Sequence, residues 1–170
     1  MTRPTASEYS PYHAGYVALV PEEDVLSAME QQSSEMQKIL ASLDETRGEY
    51  RYAEGKWSVK EVIGHVIDSE RIFGYRALAF ARGEAQPLPG FDENAYVENA
   101  SFEDWKLGEL AELYAVVRRA NIVFFKNLRD EAWERRGTAS DVPVSVRGIA
   151  YVIVGHERHH LKVLRERYGV

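Results

Sequence analysis

The sequence contains no cysteine among its 170 residues. That excludes disulfides, thiolate metal ligands and a cysteine nucleophile, so any metal this chain holds must be held by His, Asp or Glu. Long hydrophobic runs are missing as well. Residues 148–155, one of the longest, fall far short of the roughly 20 apolar residues that cross a bilayer. Positive charge is in deficit, with Lys+Arg 21 against Asp+Glu 27 and a formal net charge of -6. A general affinity for nucleic acid requires a basic face and is not expected here. Residues 1–10 have no hydrophobic signal core, which makes a cytoplasmic protein the expectation. There is no repeat, no low-complexity tract and no segment that reads as a strand of useful length.

What is present is helical periodicity. The size suits one domain over residues 1–170, with residues 1–20 as an irregular extension packed on it. A first helix is expected from about Pro21, with Val25, Met29, Met36, Leu40 and Leu43 on its apolar side. Ser58-Val59-Lys60-Glu61 is a capping box that opens a second helix, which carries Val62, Val66, Ser69 and Phe73 and ends near Gly83. Ser101 is expected to cap a third, along Leu107, Leu110, Leu113, Tyr114, Val117, Ala120 and Phe124. Residues 130–136 suit a short helix, and Ser145 a cap for the last one, which runs to Gly169. Residues 82–100 and 137–143 are expected to be loops. The first is long enough to be a crossover or a lid. Four amphipathic helices without a sheet to pack on predict an all-α four-helix bundle.

His156-Glu157-Arg158-His159-His160 carries the most chemical information. Residues four apart on a helix differ by about 40° in direction, so His156 and His160 face the same way, along the stripe of Ile149, Val152 and Ile153. Two imidazoles on an apolar face suit one metal ion gripped at about 2.0–2.1 Å. His65 lies on the buried stripe of the second helix, near its start, whereas the pair lies in the last half of the fourth. If these helices are antiparallel neighbours, the three rings converge. His159 is expected to face solvent, and His13 is given no role. The H-E-x-x-H zincin pattern is also matched. A third ligand beyond a turn is missing, however, and Glu157 points away from the metal-facing side.

With these residues in hand, the chain resembles the DinB family, also called DinB/YfiT-like proteins. The likeness rests on the stretches KWSVKEVIGHVIDSERIFGYRALAFARG, PLPGFDENAYV and PVSVRGIAYVIVGHERHHLKVLRERY. The resemblance implies a metal-binding bundle with up-down-down-up topology, hence a long crossover loop. It also implies a metal triad at His65, His156 and His160. Zinc and nickel are the metals the resemblance suggests, and a homodimer the assembly. Characterised relatives include thiol-dependent S-transferases and a maleylpyruvate isomerase.

Three functions follow as expectations. The first is a metal-dependent transferase acting on a small molecule with a low-molecular-weight thiol as cosubstrate. The second is metal-dependent hydrolysis, for which Asp68, Asp92 and Glu93 are candidate carboxylates and Glu61 is better explained as a cap. The third is a metal-containing stress or binding protein without turnover. Leu88 and Phe91 are expected to staple the loop, Trp57 and Tyr75 to be core aromatics, and Glu70, Arg71 and Arg76 to pair along the second helix.

Overall fold

The computed structural model describes residues 2–170. Four long helices form its frame. To name them in chain order, α1 is Ala14–Ala18, α2 Val25–Ser42, α3 Glu45–Glu49, α4 Val59–Ala81, α5 Glu93–Ala100, α6 Leu107–Lys126, α7 Asp130–Glu134 and α8 Val146–Val163. The long ones, α2, α4, α6 and α8, pack in a ring: α4 lies between α8 and α6, and α2 lies between α6 and α8. Three of the long helices, α2, α4 and α8, start where a side chain accepts from their free N–H groups. The Asp24 carboxylate accepts from Leu26 and Ser27 at the start of α2, and Ser58 with Glu61 forms the expected box on α4. Ser145 Oγ accepts from Gly148 on α8.

The core divides into two apolar clusters. One joins the start of α2, the end of α4, the end of α6 and the start of α8, around Met29, Phe80, Phe125 and Ile153. The other joins the end of α2, the start of α4, the start of α6 and the end of α8, around Met36, Ile63, Leu110 and Leu161. Between them in sequence each long helix contributes a buried polar residue: Gln32, Glu70, Arg118 and Glu157. Arg118 donates from Nε and Nη2 to the two oxygens of Glu70, each at 2.8 Å, and from Nη2 to Glu157. Tyr114 Oη donates to the other Glu157 oxygen at 2.9 Å, and Asn121 donates to Glu70 at 3.1 Å. Burial opposes the Arg118 charge, but the two carboxylates outweigh it and hold the guanidinium pKa well above its usual value.

Several expectations need correction. The first long helix begins at Val25 rather than Pro21, because Asp24 provides the cap. Ser101 does not cap α6: it takes a left-handed conformation (φ 51) ahead of a short 3-10 turn, and α6 begins at Leu107. Residues 137–143 are no loop. They lie within an antiparallel hairpin of β1, Arg136–Ala139, and β2, Val142–Ser145, so the chain is mostly helical rather than purely so. Residues 82–100 contain α5, and Leu88 adds strand-like bonds to the hairpin through Thr138 and Ser140. Tyr75 is 59% exposed, not core. Arg71 and Arg76 do not pair with Glu70, which is committed to Arg118.

The N-terminal segment is more ordered than expected and packs α1 on α8. Arg158 on α8 holds Glu22 with two bonds, at 2.8 and 2.7 Å, and the Leu19 carbonyl at 2.8 Å. Ser145 and Arg147 both donate to Glu8 at 3.0 Å.

Candidate metal centre

The core pairing sets where the histidines fall. The start of α4 lies against the end of α8, so a residue early in one meets residues late in the other. His65 Nε2 is 3.1 Å from His156 Nε2, and His160 Nε2 is 3.1 Å from the same atom. One ligand atom from each of the three residues lies within 4.8 Å of the others. Ligands at about 2.0–2.1 Å from one ion stand roughly 2.9 Å apart at right angles and about 3.3 Å apart at tetrahedral angles. Separations of 3.1 Å fall between these, so the donor set fits a divalent transition metal.

The protonation states agree with this fit. Burial lowers the His65 pKa to about 4, with Glu93 pulling back toward the charged form. It lowers His160 to about 3, helped by His65 and His159, and drives His156 well below its usual value. All three are neutral at pH 7, which is the ligating form of imidazole.

Two glycines let neighbours approach the ligands. A Cβ on Gly155 would come within 2.0 Å of the Tyr16 carbonyl oxygen, and a Cβ on Gly64 within 2.4 Å of the Phe102 ring. Without side chains here, α1 lies directly on α8 beside His156, and Phe102 lies directly on α4 beside His65. The Tyr16 ring meets His156 edge-on with centroids 5.3 Å apart, and Trp57 covers His65 at 4.9 Å. Next along α8, Glu157 turns about 100° away from His156 and is held by Arg118 and Tyr114. It is therefore not free to act as the base of a zincin.

A cavity of about 270 Å³ opens on this cluster. His65 and His156 form one end of its lining, Phe73, Phe91 and Tyr16 supply aromatic wall, and Arg76 and Glu93 bring charge of opposite sign. Among the carboxylates expected as candidates, Glu93 lines the cavity, while Asp92 caps α5 and Glu61 caps α4. No hydrogen bond joins Asp68 to His65 among the described residues. His159 is exposed, with its ring against Tyr16 at 5.4 Å. His13, given no role from sequence, lines the cavity beside Phe73 and Tyr16. Nothing in its local sequence announces this, because the contact spans the chain. Phe91 lines the cavity too, so it does more than staple the loop.

Comparison with known proteins gives a consistent likeness. A model of the DinB superfamily matches residues 28–164. No curated protein matches. Among solved structures the chain is similar to YfiT from Bacillus subtilis, described as a probable metal-dependent hydrolase with an unusual four-helix bundle topology. Identity is 18%, the TM-score is 0.77, and 95% of this chain and 94% of that one are covered. It is also similar to a mycothiol-dependent maleylpyruvate isomerase at 18% identity and a TM-score of 0.68, covering 85% of this chain but only 61% of the isomerase.

Proposed function

The chain belongs to the DinB superfamily, and from that premise we propose that His65, His156 and His160 hold one zinc or nickel ion in a metal-dependent small-molecule transferase that uses a low-molecular-weight thiol. Three uncharged imidazoles facing one point, at the end of a cavity, carry this reading. Three protein ligands leave a position open on a tetrahedral ion, as catalytic rather than structural sites do. A divalent ion held there supplies Lewis acidity, lowering the pKa of a thiol or water at the open position. The chain's own residues do the rest. The imidazoles offer lone pairs without losing a proton first. Tyr16, Trp57 and Phe73 keep bulk water from the cluster. The thiol must come from solution, since the sequence has no cysteine. The mycothiol dependence of one structural neighbour supports this choice.

Hydrolysis is the second reading, favoured by Glu93. Its carboxylate shares the cavity lining with His65 and His156, and its charge acts on both His65 and Tyr16, so it can accept a proton from a nucleophile held near them. The proposal also includes the up-down-down-up order, with residues 82–100 as the crossover, in one domain. One core cluster joins the start of α2, the ends of α4 and α6 and the start of α8, and the other joins the opposite ends, which supports that order.

The test is turnover of an aryl or alkyl halide by metal-loaded protein, with and without a low-molecular-weight thiol. Thioether formation that needs both metal and thiol, and is lost in His160→Ala, is expected. Alcohol formed in water alone would move the assignment to hydrolysis. Absence of both products would remove both enzyme readings.

A further inference from the structure

Arg76 and Arg118 are both buried, at 5% and 0% exposure, yet only Arg118 has counter-ions. Arg76 donates from Nη2 to the Pro89 carbonyl at 2.8 Å and to Ser140 Oγ at 3.0 Å. Its guanidinium stands near the rings of Phe73 and Phe91, at 6.0 and 5.9 Å. No carboxylate of the described residues pairs with it, and Nε and Nη1 donate to no protein atom. Burial pushes its pKa down with nothing to pull it back. An unpaired buried charge is costly, and a fold that keeps one commonly keeps it for a ligand.

Two further groups in the same cavity lack partners. Ser69 Oγ and His13 Nδ1 are buried with no hydrogen bond, and both residues line the cavity with Arg76. On α4, Ser69 lies one turn beyond His65 and Arg76 two further turns along, about 16 Å from His65 along the axis. The unsatisfied groups therefore run away from the histidine cluster along one wall. A single guanidinium, with Glu93 in the same lining, favours a monoanion over a phosphate dianion. The aromatic wall and a volume near the low end of the roughly 300–1,000 Å³ usual for ligand sites favour a small organic body.

We propose that this cavity binds a small carboxylic acid substrate, its carboxylate on Arg76 with Ser69 and His13 as hydrogen-bonding neighbours and its other end toward the histidine cluster. This names the substrate class for the enzyme proposed above and rests on that reading, but its binding test is run with and without metal.

The experiment is calorimetric titration of the full chain with 3-phenylpropionate and with its primary amide, 3-phenylpropanamide, before and after chelation. The acid is expected to bind at least about tenfold more tightly than the amide in both states, since a charge-assisted pair is lost in the amide. Arg76→Gln should weaken the acid by roughly thirtyfold or more, the effect of removing one side of a buried charge pair, and leave the amide unchanged. Ser69→Ala should weaken the acid several-fold. Should Arg76→Gln not fold, as judged by circular dichroism, Arg76→Lys replaces it, with an intermediate loss expected; the acid–amide comparison needs no variant. Acid and amide binding alike, or no acid binding in the millimolar range, would overturn the proposal. So would acid binding that ignores Arg76→Gln and vanishes on chelation, which would put the carboxylate on the metal. Arg76-dependent binding of N-acetylcysteine without binding of 3-phenylpropionate would assign the carboxylate to the thiol and overturn the substrate assignment. Acid selectivity in protein that takes up no metal would support the anion site while the metal reading fails.

Discussion

The two buried arginines define two regions with opposite chemistry. Around Arg118, donors and carboxylates from three helices satisfy one another, and the layer closes the middle of the bundle. Around Arg76, a cation, a hydroxyl and an imidazole are buried without enough partners, beside an open volume. A polar group whose bonds are complete is used up by the fold, whereas one left incomplete is available to something else. The same distinction separates Glu157 from its neighbour His156: the first is consumed by Arg118 and Tyr114, and the second faces His65 and His160.

Substitution should bring the contrast out. Arg118→Met leaves Glu70 and Glu157 buried without a cation and is expected to cost about 3–5 kcal/mol in urea unfolding. Arg76→Gln loses two hydrogen bonds but also an unpaired charge, and should cost about 1 kcal/mol or less. Equal costs would dissolve the comparison.

Next in size is acid sensitivity. Burial holds His65 and His13 at about 4 and His160 at about 3, below the usual 6.5. As pH falls below about 6.5, the unfolded chain takes up protons that the folded chain refuses, so stability rises with pH across this window and is lost on acidification. Metal-free protein should lose on the order of a few kcal/mol between about pH 7 and pH 4, followed by denaturant titration at each pH. The Arg118 cluster opposes part of that slope, because burial raises the Glu157 pKa to about 7 and the folded chain then holds a proton there that the unfolded chain releases. A flat profile would show that the histidines are solvated.

A smaller effect is expected at Gly155. A Cβ there meets the Tyr16 carbonyl at 2.0 Å, which is backbone and cannot swing aside. Gly155→Ala should cost roughly 1–3 kcal/mol, as overpacking does, and should increase proteolysis of the N-terminal segment without melting the bundle.

Much of this was legible in the sequence where local rules decide. Ser58 with Glu61 marks the start of α4 because capping is local, and the spacing of His156 and His160 puts both on one face because helix geometry is regular. Long-range pairing was less legible. Arg118 sits at the centre of α6, yet a charged residue does not read as core until Glu70 and Glu157 are known to meet it. The expected stripe met that face at Leu107, Leu110 and Tyr114, but it took in Ala120, which is exposed, and did not include Ile122 and Phe125, which are buried. The hairpin is not legible in the sequence because Gly137 and Pro143 read as turn residues. Its strands are four residues each, and Gly137 is required where a Cβ would meet the Phe80 ring at 2.1 Å. His13 became a lining residue only through the packing of α1 on α8.

The metal content of the full chain, purified without an affinity tag, tests the central claim most directly. Elemental analysis should find close to one zinc or nickel ion per chain in the wild type and in His159→Ala, and next to none in His65→Ala and His160→Ala, with helicity retained in all. Full metal in both of the latter variants, or none in the wild type after loading, would contradict it.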